Sequence, residues 1–132
     1  MSEPIELGFR KRVTVAFTDE LGGRVFETVV PPDATLPLAT YRRVSPGETQ
    51  HRVKTARLQF VIHADTYTDA KRLQRDIENY MAGLRRVWLS GDGDECPVWV
   101  HLIKAFTMPD GYQASTRRRL AVSEFEIKYA EA

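Results

Sequence analysis

Cysteine is almost missing from this 132-residue chain. A lone Cys96 closes no intrachain disulfide, and neither a Cys-x-x-Cys nor a His-x-x-x-His spacing points to a zinc site, so an intracellular origin is expected. Long apolar runs are missing too. None approaches the ~18 residues of a membrane span. Met1-Ser2-Glu3-Pro4 leads into no apolar run before Arg10, so neither a signal peptide nor a bilayer anchor is expected. Charge of one sign is also scarce: 19 Lys and Arg against 18 Asp and Glu leave a net charge of +1, which argues against a dedicated DNA binder or a polybasic membrane anchor. With 42% hydrophobic and 28% charged residues the chain should fold, and its length suits one domain over 1–132, too short for a cofactor domain plus a substrate domain.

Catalytic constellations are equally scarce. His51, His63 and His101 fall on a loop and two expected strands, too scattered for a metal site. Cys96 precedes Pro97, and nothing in the sequence sets a base beside it, so a pairing with His101 has no support. Asp92, Asp94 and Glu95 resemble part of a calcium loop but lack its ligand ladder and terminal carboxylate. Gly91 and Gly93 do not link a strand to a helix, and no Gly-Lys-Ser/Thr element is present. No catalytic, cofactor-binding or metal-ligating residue is assigned, and no cofactor is expected.

What the sequence does contain is clear periodicity. Phe9, Val13, Ala16, Phe17 and Leu21 form a helical stripe within Ile5 to Leu21, which Gly22-Gly23 stops. Arg24 to Val30 suits a short strand ended by Pro31-Pro32, and Leu38 to Ser45 a second strand broken by Pro46-Gly47. From Thr55 to Ala64 the residues alternate. Ala56, Leu58, Phe60, Ile62 and Ala64 share one face, while Thr55, Arg57, Gln59 and His63 share the other, with Val61 the exception. A strand with one apolar face belongs to an antiparallel sheet packed on one side. Thr66 is the expected N-cap of a helix in which Tyr67, Ala70, Leu73, Ile77, Met81 and Leu84 make one face through to about Arg86, and Lys71, Arg72, Arg75, Asp76 and Glu78 make a watered one. After the polar loop Ser90 to Glu95 come a strand from Val98 to Phe106, a long hairpin loop over Thr107 to Thr116, and a closing strand from Arg117 to Tyr129. The expected fold is α+β: a mainly antiparallel sheet of four to five strands with one long helix across one face and an N-terminal helix, in the order αβββαββ.

The charges are sorted. Basic clusters stand at Arg10-Lys11-Arg12, Arg42-Arg43, Arg85-Arg86 and Arg117-Arg118-Arg119; acidic ones at Asp19-Glu20, Asp92 to Glu95 and Glu124 with Glu126. Most such clusters are solvated faces. Adjacent residues of a strand, however, point to opposite sides, so one arginine of each strand pair faces the core side or its edge and requires a carboxylate or an interface. Separated patches of both signs on a near-neutral chain suit head-to-tail self-association.

The order of elements resembles the tail terminator, or tail completion, family of long-tailed bacteriophages and related gene transfer particles. The residues that carry the resemblance are Gly23-Arg24-Val25-Phe26, Leu36-Pro37-Leu38-Ala39-Thr40-Tyr41, Val61 to Ala64 running into Thr66-Tyr67-Thr68-Asp69-Ala70-Lys71, and Arg118-Arg119-Leu120-Ala121-Val122-Ser123 with Phe125. The resemblance covers most of the chain and rests on order and spacing. It implies a three-stranded antiparallel unit after the first helix. It also implies a non-enzymatic virion protein at the head–tail junction, assembled in the host cytoplasm. Such a protein forms a hexameric ring on the head-proximal end of the tail tube, stops its growth and docks the head. The implied partners are copies of itself, the tail tube protein and a head-side connector, with no membrane and no specific nucleic acid, DNA passing only through the ring lumen. Arg42, Arg43, Arg117, Arg118, Arg119, Asp92, Asp94 and Glu95 are the expected interface residues, near hairpin loops 46–54 and 107–116. The chain departs from many relatives in its β-branched Phe9 to Phe17 stretch and in the Asp92 to Glu95 loop. Two other classes stay open: another connector or tube subunit, and a small ligand-binding or enzymatic α+β domain, which would need a concave pocket of convergent polar groups.

Overall fold

The computed structural model describes residues 4–30, 34–44, 48–50, 52–90, 97–113 and 118–131. Helix α1 (Pro4–Ala16) and the single turn α2 (Thr18–Leu21) come first, followed by β1 (Val25–Glu27), β2 (Leu38–Arg43), β3 (Glu48–Gln50) and β4 (Val53–Ala64). Helix α3 (Tyr67–Ala82), β5 (Arg85–Leu89), β6 (Val98–Thr107), β7 (Gly111–Gln113) and β8 (Arg118–Glu131) complete the chain. The α+β expectation holds, with one mixed sheet in the order β1-β2-β4-β8-β6-β5 and with β3 and β7 as short arms on β4 and β8.

Three features differ from the sequence expectation. The sheet has eight strands rather than four or five. One of the extra strands, β5, takes up residues expected to end the second helix, because α3 stops at Ala82 before Gly83. Arg86, at φ +53, then turns the chain into the β-forming run Val87-Trp88-Leu89. β1 is parallel to β2, so the first three strands are not a purely antiparallel unit. Tyr67 lies outside the core, 55% exposed, with Lys71 Nζ 6.0 Å from its ring centroid.

Alternation along β4 and β8 builds the core. Ala56, Leu58, Phe60, Ile62 and Ala64 lie beside Ala121, Phe125, Ile127 and Tyr129 on one face, all buried. Both helices cover that face: Phe9 of α1 stacks its ring 5.9 Å from Phe60 and 5.1 Å from Phe125, and Ala70, Leu73, Ile77 and Met81 of α3 join the same core. The expected cap is present, with Thr66 Oγ1 accepting the Asp69 N–H at 3.2 Å. On the opposite face Thr55, Arg57, Gln59, Glu124, Glu126 and Lys128 stand among described residues with no helix over them.

The sheet's two edges are β1 and β5, and α1 reaches both. Arg10 Nε donates to the Val25 carbonyl of β1 at 3.1 Å, and Arg12 donates to the Trp88 carbonyl of β5 at 3.1 Å. The basic cluster 10–12 is therefore partly an edge-sealing device, which blunts strands that would otherwise offer a pairing template.

Candidate subunit interface

The expected interface residues separate into two described groups and one group outside the described residues, namely Asp92, Asp94, Glu95 and Arg117. Arg42 and Arg43 end β2, where register decides their fates. Arg42 lies opposite Gln59 on the open face, and its Nε donates to the Gln59 side chain at 2.9 Å. Arg43 lies opposite Leu58 on the core face and meets the buried carboxylate of Glu6 in α1 at 3.4 Å. A core-side arginine with a carboxylate partner is what strand alternation demanded, and Arg43 meets that demand within the chain.

Arg118 and Arg119 begin β8 at the other end of the sheet. Arg43 pairs with Leu58 and Arg119 with Ala64, six residues further along β4, so the two groups stand roughly 20 Å apart at ~3.3 Å per residue. The structure does not bring them together. The hairpin arms diverge in the same way: β3 pairs with Val53–Thr55 and β7 with Arg118–Leu120. The loops expected at 46–54 and 107–116 are thus hairpins at opposite ends, the first turning through Arg52 at φ +68.

Beside half-buried Arg118 lies a group that the sequence left as an ordinary imidazole. His63 is 8% exposed, its Nδ1 has no hydrogen-bond partner, and its Nε2 stands 3.5 Å from the Thr40 hydroxyl. Burial, aided by the charge of Arg118, lowers its pKa to about 4, so the ring is neutral at pH 7. Farther along the open face, Arg57 bridges Glu124 at 3.2 Å and Glu126 at 2.9 Å, and both contacts raise its pKa. Both carboxylates were legible as outward-facing; the register that delivers them to Arg57 was not. Glu78, expected to face water, instead accepts hydroxyl protons from Thr107 (2.8 Å) and Ser123, joining α3 to β6 and β8.

A concavity lies where α2 meets the start of α3. Glu20 of α2, Asp65, and Asp69, Arg72 and Asp76 of α3 ring a cleft of about 320 Å³ floored by Pro37, Ala64 and Leu73. Its carboxylates are all exposed, and no nucleophile or imidazole lines it. Among the described residues no group of three or more His, Cys, Asp or Glu is placed to hold a metal ion, and no helix is long and apolar enough to cross a membrane.

No protein-family model matches this chain, and no curated protein does. Among solved structures it is similar to a chain of the virion of a native gene transfer agent particle. The TM-score is 0.64 at 14% identity, and the match covers 93% of this chain and 90% of that one. At that identity the likeness is one of fold, and it extends over almost the whole of both chains.

Proposed function

We propose that this chain is a structural subunit of a phage-like virion or gene transfer particle. In this proposal a ring of copies closes the head-proximal end of the tail tube, ends its polymerisation and gives the head its docking surface. The observation that carries the proposal is the fold shared, nearly end to end, with a chain of a gene transfer agent virion. The sequence resemblance to tail terminators points the same way. The architecture suits such work: an open sheet face of charged side chains, sealed strand edges, and hairpin arms at both ends of the sheet. Arg42, Arg118 and Arg119 are proposed to meet neighbouring subunits or the tube, whereas Arg43 is committed to Glu6 within the chain. Arg117, Asp92, Asp94 and Glu95 are proposed to extend the same contacts. The proposed partners are further copies in a hexamer, the tube protein and a head-side connector.

A second reading, a tube or connector subunit, draws on the same fold likeness, and electron micrographs of particles lacking the gene separate the possibilities. Overlong tails detached from heads support the tail-end ring. Absence of tails indicates a tube subunit, and normal-length tails without heads a connector. Normal particles overturn the virion role.

A further inference from the structure

The open face of the sheet carries more cations than its carboxylates answer. Across β2, β4, β8 and β6 the register sets five on it, Arg42, Arg57, Lys104, Arg118 and Lys128, against Glu124 and Glu126. Arg57 lies opposite Glu126 and bonds to both carboxylates. The exposed Lys104 and the partly buried Lys128 are thereby left without an ion-pair partner among the described residues. A chain of net charge +1 thus carries one locally positive face, which disfavours pairing that face with a second copy of itself.

Aromatic rings stand on the same face. Trp99 lies opposite Ala130 and Phe106 opposite Glu124, roughly 20 Å apart at ~3.3 Å per residue of β8, and Lys128 and Lys104 fall between them. Trp88 pairs with Trp99 from β5, the two rings meeting edge to face with centroids 5.2 Å apart. Trp88 is 52% and Phe106 44% exposed, so both offer ring surface to a partner. We propose that this face binds a single strand of nucleic acid without sequence preference, its phosphates on Lys104 and Lys128 and its bases against Trp88, Trp99 and Phe106. An acidic protein segment would answer the lysines alone. The alternation of ring, cation and ring from Trp99 through Lys104 to Phe106 fits a polymer that itself alternates flat bases with anionic links. A duplex has its base faces stacked within the helix and offers these rings nothing comparable. The inference does not depend on the proposed tail-end ring.

The chain has two tryptophans, and both lie on this face, so its tryptophan emission reports directly on the contact. Titrating the full wild-type chain with a short oligothymidylate should quench that emission with half-saturation at about 1–100 μM. The logarithm of affinity should fall with the logarithm of salt concentration at a slope of roughly −1.4 or steeper, ~0.7 for each lysine–phosphate contact. Lys104→Gln with Lys128→Gln should weaken binding about tenfold and flatten the slope by roughly 1.4. Phe106→Ala should weaken binding about tenfold and leave the slope unchanged. Emission that stays constant up to about 1 mM oligothymidylate overturns the proposal. So does a duplex of the same length that quenches as strongly, or variants that bind like the wild type. Poly-glutamate that quenches and binds as tightly assigns the face to an acidic protein and overturns it too. Should a variant fail to fold, the wild-type comparison of oligothymidylate, duplex and poly-glutamate decides the matter by itself. Quenching by the single strand alongside normal particles in the gene deletion would leave this inference standing and remove the virion role.

Discussion

His63 shows how a single position escapes sequence reading. Alternation places it on the outward side of β4, where an imidazole would meet water, yet its neighbours bury it beside Arg118. Because its pKa falls from 6.5 to about 4, the folded chain keeps the ring neutral while the unfolded chain takes up a proton below pH 6.5. The associated stability is therefore present above pH 6.5 and is lost as the pH falls toward 4. Urea unfolding should show the wild type losing roughly 1–3 kcal/mol relative to His63→Gln between pH 7 and pH 4; a constant difference over that window would contradict it. Arg43 is the opposite case. Strand alternation alone required one of the two arginines at the end of β2 to find a carboxylate. Which arginine, and that the carboxylate would be Glu6 in α1, depended on register and on packing between distant segments.

Elements fixed by local chemistry were legible: the Thr66 cap, the α3 stripe, and the alternating strands β4 and β8 all obey short periods. What stayed hidden depends on partners far away in the chain. β5 is five residues long, and Leu84 continues the helical stripe into it, so only Gly83 and the turn at Arg86 mark the boundary. The parallel pairing of β1 likewise follows from where β2 is placed, which no short window records. Gly8 belongs to this scale as well. In an exposed helix Gly→Ala gains about 1 kcal/mol, but a Cβ at Gly8 would stand 2.9 Å from Leu89 Cβ and 3.2 Å from the Leu89 carbonyl carbon, where α1 lies against β5. Gly8→Ala should therefore destabilise the fold by about 1–3 kcal/mol. A thermal melt at or above that of the wild type would show that α1 can move off the sheet.

Across the whole molecule, near-neutrality conceals a sorted surface, with arginines at both ends of the sheet and a two-signed network on its open face. In particles, Arg118→Glu with Arg119→Glu should abolish tail-length control and head joining while the isolated chain still folds. Unchanged tails and heads would remove these arginines from the interface. The candidate contacts were legible as clusters, whereas their separation of roughly 20 Å along the sheet required the β4–β8 register. That same architecture bears on biosynthesis. Arg10 and Arg12 leave the ribosome before either β1 or β5 has been made, so each vulnerable flank emerges to find its stopper already waiting. Reordering the chain to make α1 last would leave both flanks bare throughout translation, and the permuted protein would be prone to clumping without any change in its finished contacts.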